Sequence, residues 1–272
     1  MFRIERRKTS VARAFGILEL IHHATVRVIR QNQKNPVLGL MQNILRTVLL
    51  IGVFYLMITL LGTRMTAIRG DFVLYLMSGV FLYMTHTRAM GAVFNSEGPT
   101  SSMMLHAPMN TVIAISSAAL SSLYLQFLSM VVVLFVYHVG FTPITIEQPV
   151  PALGMFLLAW FSGVGIGMVC LALRPWFPAA AGMAQSVYSR ANMIASGKMF
   201  VANTLGFQFL YLFTWNPLFH TIDQARGYVF LNYTPHHTSP TYPLLVTLPL
   251  LLVGLMGESF TRKRASLSWS RR

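Results

Sequence analysis

Acidic residues are scarce in this sequence: 7 Asp and Glu stand against 21 Lys and Arg, for a formal net charge of +14. Charged residues fill only 10% of the 272 positions, where a soluble domain carries roughly a quarter. That shortage excludes an ordinary soluble globular domain. The single cysteine, Cys170, excludes a disulfide framework and a thiolate metal cluster. No G-x-x-x-x-G-K-[ST] phosphate loop occurs, so ATP chemistry falls to another polypeptide. Paired carboxylates, a G-x-S-x-G nucleophile elbow and clustered Cys/His ligands are missing as well. The few acids sit at ends or in loops of the expected helices, which counts against a proton-coupled carrier.

What is present is apolar. Hydrophobic residues make up 54% of the chain and mean hydropathy is +0.57. Apolar runs recur along nearly the whole length and reach the about 20 residues that a bilayer-crossing helix needs. The sequence therefore reads as an all-α polytopic membrane protein. Its basic residues gather at the two ends, Arg3, Arg6, Arg7, Lys8, Arg13, Arg27, Arg30 and Lys34 before the first span and Arg262, Lys263, Arg264, Arg271 and Arg272 after the last. In a soluble chain such charge would suggest nucleic acid; here it faces anionic headgroups and places both termini in the cytoplasm. Both termini on one side require an even number of spans.

Residues 1–36 read as a cytoplasmic and interfacial segment whose amphipathic helix, about 11–34, is too polar to cross. Residues 37–201 read as spans one to five, at about 37–62, 71–94, 111–139, 152–173 and 178–201. Residues 202–241 are aromatic and broken by Trp215-Asn216-Pro217, and read as two short re-entrant helices on the outer side. Residues 242–272 hold the sixth span and a basic cytoplasmic tail. The loop Asn95–Asn110 must face the cytoplasm but holds no Lys or Arg. It presents the knob Met103-Met104-Leu105, flanked by Glu97 and His106, and reads as a docking surface for protein. Gly163 and Gly167 carry the small-xxx-small spacing of close helix packing. The fifth span is interrupted by Tyr188, Arg190, Asn192 and Lys198, so it should face protein or a water-filled path rather than lipid.

His220 and Asp223 lie at helical i, i+3, with Arg226 three further on. This set is either a catalytic dyad with an electrostatic partner or a hydrogen-bonded set that pins a short outer helix. His22-His23 and His236-His237 read as solvated pairs rather than metal ligands. Arg88 is either a snorkelling interfacial residue or an interior contact, and Arg190 and Lys198 are candidates for contact with an anionic substrate.

The order of parts resembles the membrane subunit of ABC-2 type exporters, in particular permeases of capsular polysaccharide and O-antigen export. The residues behind this are Asn35-Pro36-Val37-Leu38-Gly39, Ser78-Gly79, and especially Trp215-Asn216-Pro217-Leu218-Phe219-His220 with Asp223, Arg226 and Tyr233. The likeness covers essentially the whole chain. It implies a permease of the bacterial inner membrane, without catalytic or metal residues of its own. Its partners would be a second copy of itself, two copies of a cytoplasmic ATPase that binds ATP and Mg, and periplasmic and outer-membrane export components. Glu97, Met103, Met104, Leu105 and His106 would seat on the ATPase. Tyr188, Arg190, Lys198, Trp215, Asn216, His220, Asp223 and Arg226 would form the path and outer gate for a lipid-linked glycan. An ABC-2 exporter of a lipid, drug or other cargo keeps the same fold with a different substrate.

Overall fold

Prolines cut the apolar sequence into helices. Pro149, Pro178 and Pro217 each open a helix in its first turn, where the missing N–H has no helical partner to lose. The computed structural model describes residues 10–31, 36–60, 68, 70–96 and 111–269, and their regular structure is entirely helical. The helices are α1 Ser10–Gln31, α2 Pro36–Leu60, α3 Phe72–Phe94, α4 Thr111–Gly140, α5 Pro149–Leu173, α6 Pro178–Ala195, α7 Phe207–Phe213, α8 Pro217–Val229 and α9 Thr241–Trp269. A 3-10 turn at Ala202–Thr204 precedes α7. The docking loop expected at Glu97, Met103, Met104, Leu105 and His106 lies outside the described residues.

Among the described residues four stretches are long and apolar enough to cross a membrane: Val37–Leu60, Thr111–Gly140, Pro149–Leu173 and Thr241–Arg264. The remaining two of the six expected spans correspond to α3 and α6, which are helices of a different kind. Ser78, Thr85, His86, Thr87 and Arg88 dilute the apolar character of α3, yet α3 is buried along most of its length. Its hydroxyls cost little there, because Ser78, Thr85 and Thr87 donate to carbonyls one turn back in the same helix. Helix α6 ends at Ala195, before the expected boundary at 201, and buries only Ala181 and Asn192.

Helix α5 is the centre of the bundle, with α3 against one side and α9 against another. Close approach explains its glycines. A Cβ at Gly163 would strike the His86 carbonyl oxygen of α3, and one at Gly167 would lie 2.8 Å from the Met90 oxygen. Backbone cannot give way as a flexible side chain can, so both positions require a hydrogen. The order of contacts, Gly163 with His86 and Gly167 with Met90, makes α3 and α5 run parallel. On the other flank Gly165 faces Thr247 and Gly257 faces Ala172, both across the α5–α9 contact. Helix α4 joins α5 through Trp160, whose indole N–H donates to the Ala119 carbonyl at 3.0 Å. Helix α2 joins α4 through Asn43, which donates to Ser129 at 2.7 Å, while α1 lies along α4.

The two ends of the bundle are tied separately. At one, Arg174 donates to the Phe94 carbonyl and the Trp176 indole to Thr261 Oγ1. Glu258, which the sequence places at the end of the last span, is buried inside α9 and accepts from the Thr111 hydroxyl at the start of α4. At the opposite end Asp71 caps α3, accepts from Val73 N, and takes the Tyr137 hydroxyl at 2.6 Å.

Candidate functional site: a polar seam along helix α3

Tyr75, Gly79 and Tyr83 recur every four residues and therefore share one face of α3. Against that face lie α6, the strap Ser196–Val201 and α8, in that order toward the Phe72 end. The seam begins at His86, which is fully buried. Its Nδ1 pairs with Ser162 Oγ at 2.9 Å and the Ala159 carbonyl at 3.2 Å on α5, and its Nε2 with the Tyr188 hydroxyl at 3.1 Å on α6. One turn along, the Tyr83 hydroxyl donates to the Ser189 carbonyl.

The next member is Lys198, only 1% exposed. Its Nζ stands 3.6 Å from the centre of the Tyr83 ring and 4.7 Å from that of Phe54 on α2. Aromatic faces attract a cation, but the ammonium has no hydrogen-bond partner. Gly79 allows this approach: a Cβ there would sit 2.8 Å from Lys198 Cα and 2.9 Å from Arg226 Nη2.

Arg226 follows, completely buried, with its guanidinium carbon 4.1 Å above the Tyr75 ring. Nη1 donates to the carbonyls of Gly197 at 2.7 Å and Phe200 at 2.6 Å, and Nη2 to that of Lys198 at 2.5 Å. One side chain thus holds three carbonyls of the strap. Such convergence needs a sharp reversal, supplied at Gly197 with φ +74°, a region L side chains avoid.

The other residues of the motif fasten α8 in the same manner. Asn216 caps the helix by accepting from Leu218 N at 3.0 Å, and its amide donates to Asn192 Oδ1 and the Ala195 carbonyl at the end of α6. His220 donates through Nε2 to the Thr214 carbonyl and accepts at Nδ1 from Ser239 N, a pattern that fixes its tautomer. Its ring stacks on Tyr242 at 4.5 Å. Burial holds the His220 imidazole below its ordinary pKa. Asp223 accepts from Ala202 N at 3.1 Å, the Tyr233 hydroxyl at 2.6 Å and the Thr238 hydroxyl at 2.8 Å. Burial first, and the Asp223 carboxylate second, raise the Tyr233 phenol above its usual range.

His220 and Asp223 therefore bond to different segments, and these bonds pin α8 to the strap, to the loop after it and to the start of α9. Arg226, Lys198 and Tyr188 meet on this seam, and Asn216, His220 and Asp223 fasten α8 to the segments beside it. Trp215 and Arg190 do not. Trp215 is 69% exposed, its carbonyl accepting from the Tyr242 hydroxyl and its ring edge-on to Tyr211, and Arg190 is exposed on the open side of α6. Among the described residues no group of His, Cys, Asp and Glu could hold a metal ion. Residues that sequence reasoning missed are Phe54, Tyr75, Tyr83, His86 and Ser162. The four-residue recurrence of Tyr75, Gly79 and Tyr83 was the available signal.

Four long apolar helices among the described residues, packed with the helices that carry the polar seam, define an all-α multi-pass membrane protein. Compared with known protein families and with curated proteins, the chain matches neither.

Proposed function

We propose that this chain is the membrane permease of an ATP-driven ABC-2 type exporter of the bacterial inner membrane, with both termini cytoplasmic, moving a lipid-linked surface polysaccharide outward. It would work as a pair of copies with two separate ATPase subunits, and ATP and Mg would be bound by those partners. The observation that carries the reading is the fate of the Trp215–Arg226 run. The residues behind the resemblance are the ones that tie a short helix across one end of the bundle. A helix so placed suits a gate, since its discrete polar bonds to several segments, added to the apolar packing of Leu218, Phe219, Ile222 and Ala225, would make it move with its neighbours.

Helix α6 supports the pairing of copies. It leaves Met183, Val187, Met193, Ile194 and the charged Arg190 exposed beside helices that cross the membrane. A guanidinium facing hydrocarbon is costly, so this side is better covered by a second copy, with Arg190 and Tyr188 beside the path between them. In this reading the Met103-Met104-Leu105 knob receives the stroke of the ATPase. Glu258 and Thr111 join the last span to the helix that follows the knob.

The test is affinity purification followed by reconstitution. An ATPase subunit should accompany the chain, the retained cargo should be a lipid-linked sugar, and Met103→Asp with Met104→Asp should abolish nucleotide-driven export while leaving the chain folded. Full export by the isolated chain with no nucleotide hydrolysed would overturn the reading. A retained lipid or drug without sugar would reassign the cargo.

A further inference from the structure

The chain that joins α8 to α9 descends into the bundle, and two separate measures of depth agree on how far. The first is helix register. Gly163 meets His86 and Gly167 meets Met90, so α3 and α5 run parallel with Phe72 level with Pro149. On α5, Gly165 faces Thr247 of α9, while Met168 and Ala172 face Gly254 and Gly257. At 1.5 Å per residue these contacts set Thr241, where α9 begins, about 10–15 Å deeper than Pro149.

The second is the path of the loop itself. The end of α8 is level with the starts of α3 and α5. There Gln148 N donates to the Tyr228 carbonyl at 2.9 Å, and a Cβ at Gly70 would lie 3.0 Å from the Phe230 ring. From this rim the chain turns back along α8. A Cβ at Gly227 would lie 2.6 Å from Pro235 Cδ, Asp223 accepts from the Thr238 hydroxyl, and His220 Nδ1 accepts from Ser239 N. Loop numbers rise as α8 numbers fall, so the loop descends antiparallel to the helix. His220 lies about 14 Å below Val229 at 1.5 Å per residue, the same depth as the start of α9.

The descending segment is not helical, and Asn232, Thr234, His236 and His237 are exposed along it. Asn203, also exposed, fastens it by donating to the Thr234 carbonyl at 2.8 Å and accepting from His236 N at 3.2 Å. The rim above has the opposite character. Phe135, Val136 and Val139 of α4 are exposed beside Tyr137, whose hydroxyl reaches Asp71 at the start of α3. Acyl chains suit that apolar collar. They do not suit irregular backbone with polar side chains, for which hydrocarbon supplies no hydrogen-bond partner.

We infer that residues 231–240 form one wall of a water-filled bay, open at the α8 end of the bundle, with His237 near its floor. The bay goes beyond the export reading and requires only that the long helices cross a bilayer. It can be absent while ATP-driven export stands, and present while export fails.

The test is thiol labelling of the full chain in phosphatidylcholine nanodiscs. Cys170 is the single cysteine and is buried, so Cys170→Ala supplies the background for single-cysteine variants. A water-soluble methanethiosulfonate reacts with the thiolate, which apolar surroundings disfavour. His237→Cys should react several-fold faster than Val136→Cys, although Val136 stands nearer the rim. No reaction at His237→Cys would overturn the bay, because lipid or a second copy would then cover the loop. Equal rates at the two positions would overturn it too, because the loop would then lie at the bilayer surface. If His237→Cys does not fold, His236→Cys decides by the same comparison.

Discussion

Helices α6 and α8 are the two least apolar of the helices that follow α5, and they meet opposite fates. Helix α8 has 13 residues, of which Pro217 through Arg226 are all buried. Helix α6 has 18 residues and buries two of them. In α8 the polar groups at Asn216, His220, Asp223 and Arg226 have partners on other segments. In α6 Tyr188 and Asn192 point into the seam, while Arg190 remains on the open side. Polarity beside apolar helices is thus accommodated in two ways: by enclosure with partners supplied, as in α8, or on an exposed face, as in α6.

That contrast can be broken most severely at Arg226. Arg226→Met should destabilise the protein by about 3–5 kcal/mol, the cost typical of removing one member of a buried charged set, read as a fall in the thermal midpoint. It leaves the carbonyls of Gly197, Lys198 and Phe200 without a donor. Asp223→Asn should cost less, about 1–3 kcal/mol, because the amide oxygen keeps one acceptor while its NH2 confronts the Tyr233 or Thr238 hydroxyl. The same unfolding assay checks it. Gly163→Ala probes the packing that encloses the seam and should cost about 1–3 kcal/mol from overpacking against the His86 carbonyl.

A gentler probe is pH. His220 has its pKa depressed by burial, so the unfolded chain binds its proton at a higher pH than the folded one. Its contribution is intact above the unfolded value of about 6.5 and is lost as pH falls from there through the folded pKa. Unfolding midpoints measured between those limits should fall with acid in the wild type and less steeply in His220→Gln. On α6 the expected effect on stability is smallest. Arg190→Gln should change it by no more than about 0.5 kcal/mol, while export by the reconstituted assembly should drop. A large loss of stability at Arg190 would show that the open face of α6 is held within a single copy.

Much of the fold is legible in the residues themselves. Asn216-Pro217 announces a capped helix start, since an asparagine oxygen and a proline ring both suit that position, and the structure places α8 there. Gly163 and Gly167 announce close packing by their spacing. The partner helix does not follow from spacing, and it is α3 rather than a more apolar neighbour such as α4. The seam was legible only in part. His220, Asp223 and Arg226 share a helical face by spacing, but their partners at Ser239, Tyr233 and the strap carbonyls follow from how the chain folds back. His86 and Tyr188 are more than a hundred positions apart, and no local pattern links them. Glu258 looked like the end of a span because basic residues follow it, yet the Thr111 hydroxyl draws it inside.

Composition alone settled that this chain belongs in a bilayer and is built of helices, because in hydrocarbon every backbone amide must bond within its own segment. Charge placement and prolines settled most helix boundaries for equally local reasons. Which polar side chains are enclosed and which are left open was decided only by the packing of α3, α5, α6 and α8. A buried donor is satisfied by atoms brought to it from distant parts of the chain, and sequence order does not encode that encounter.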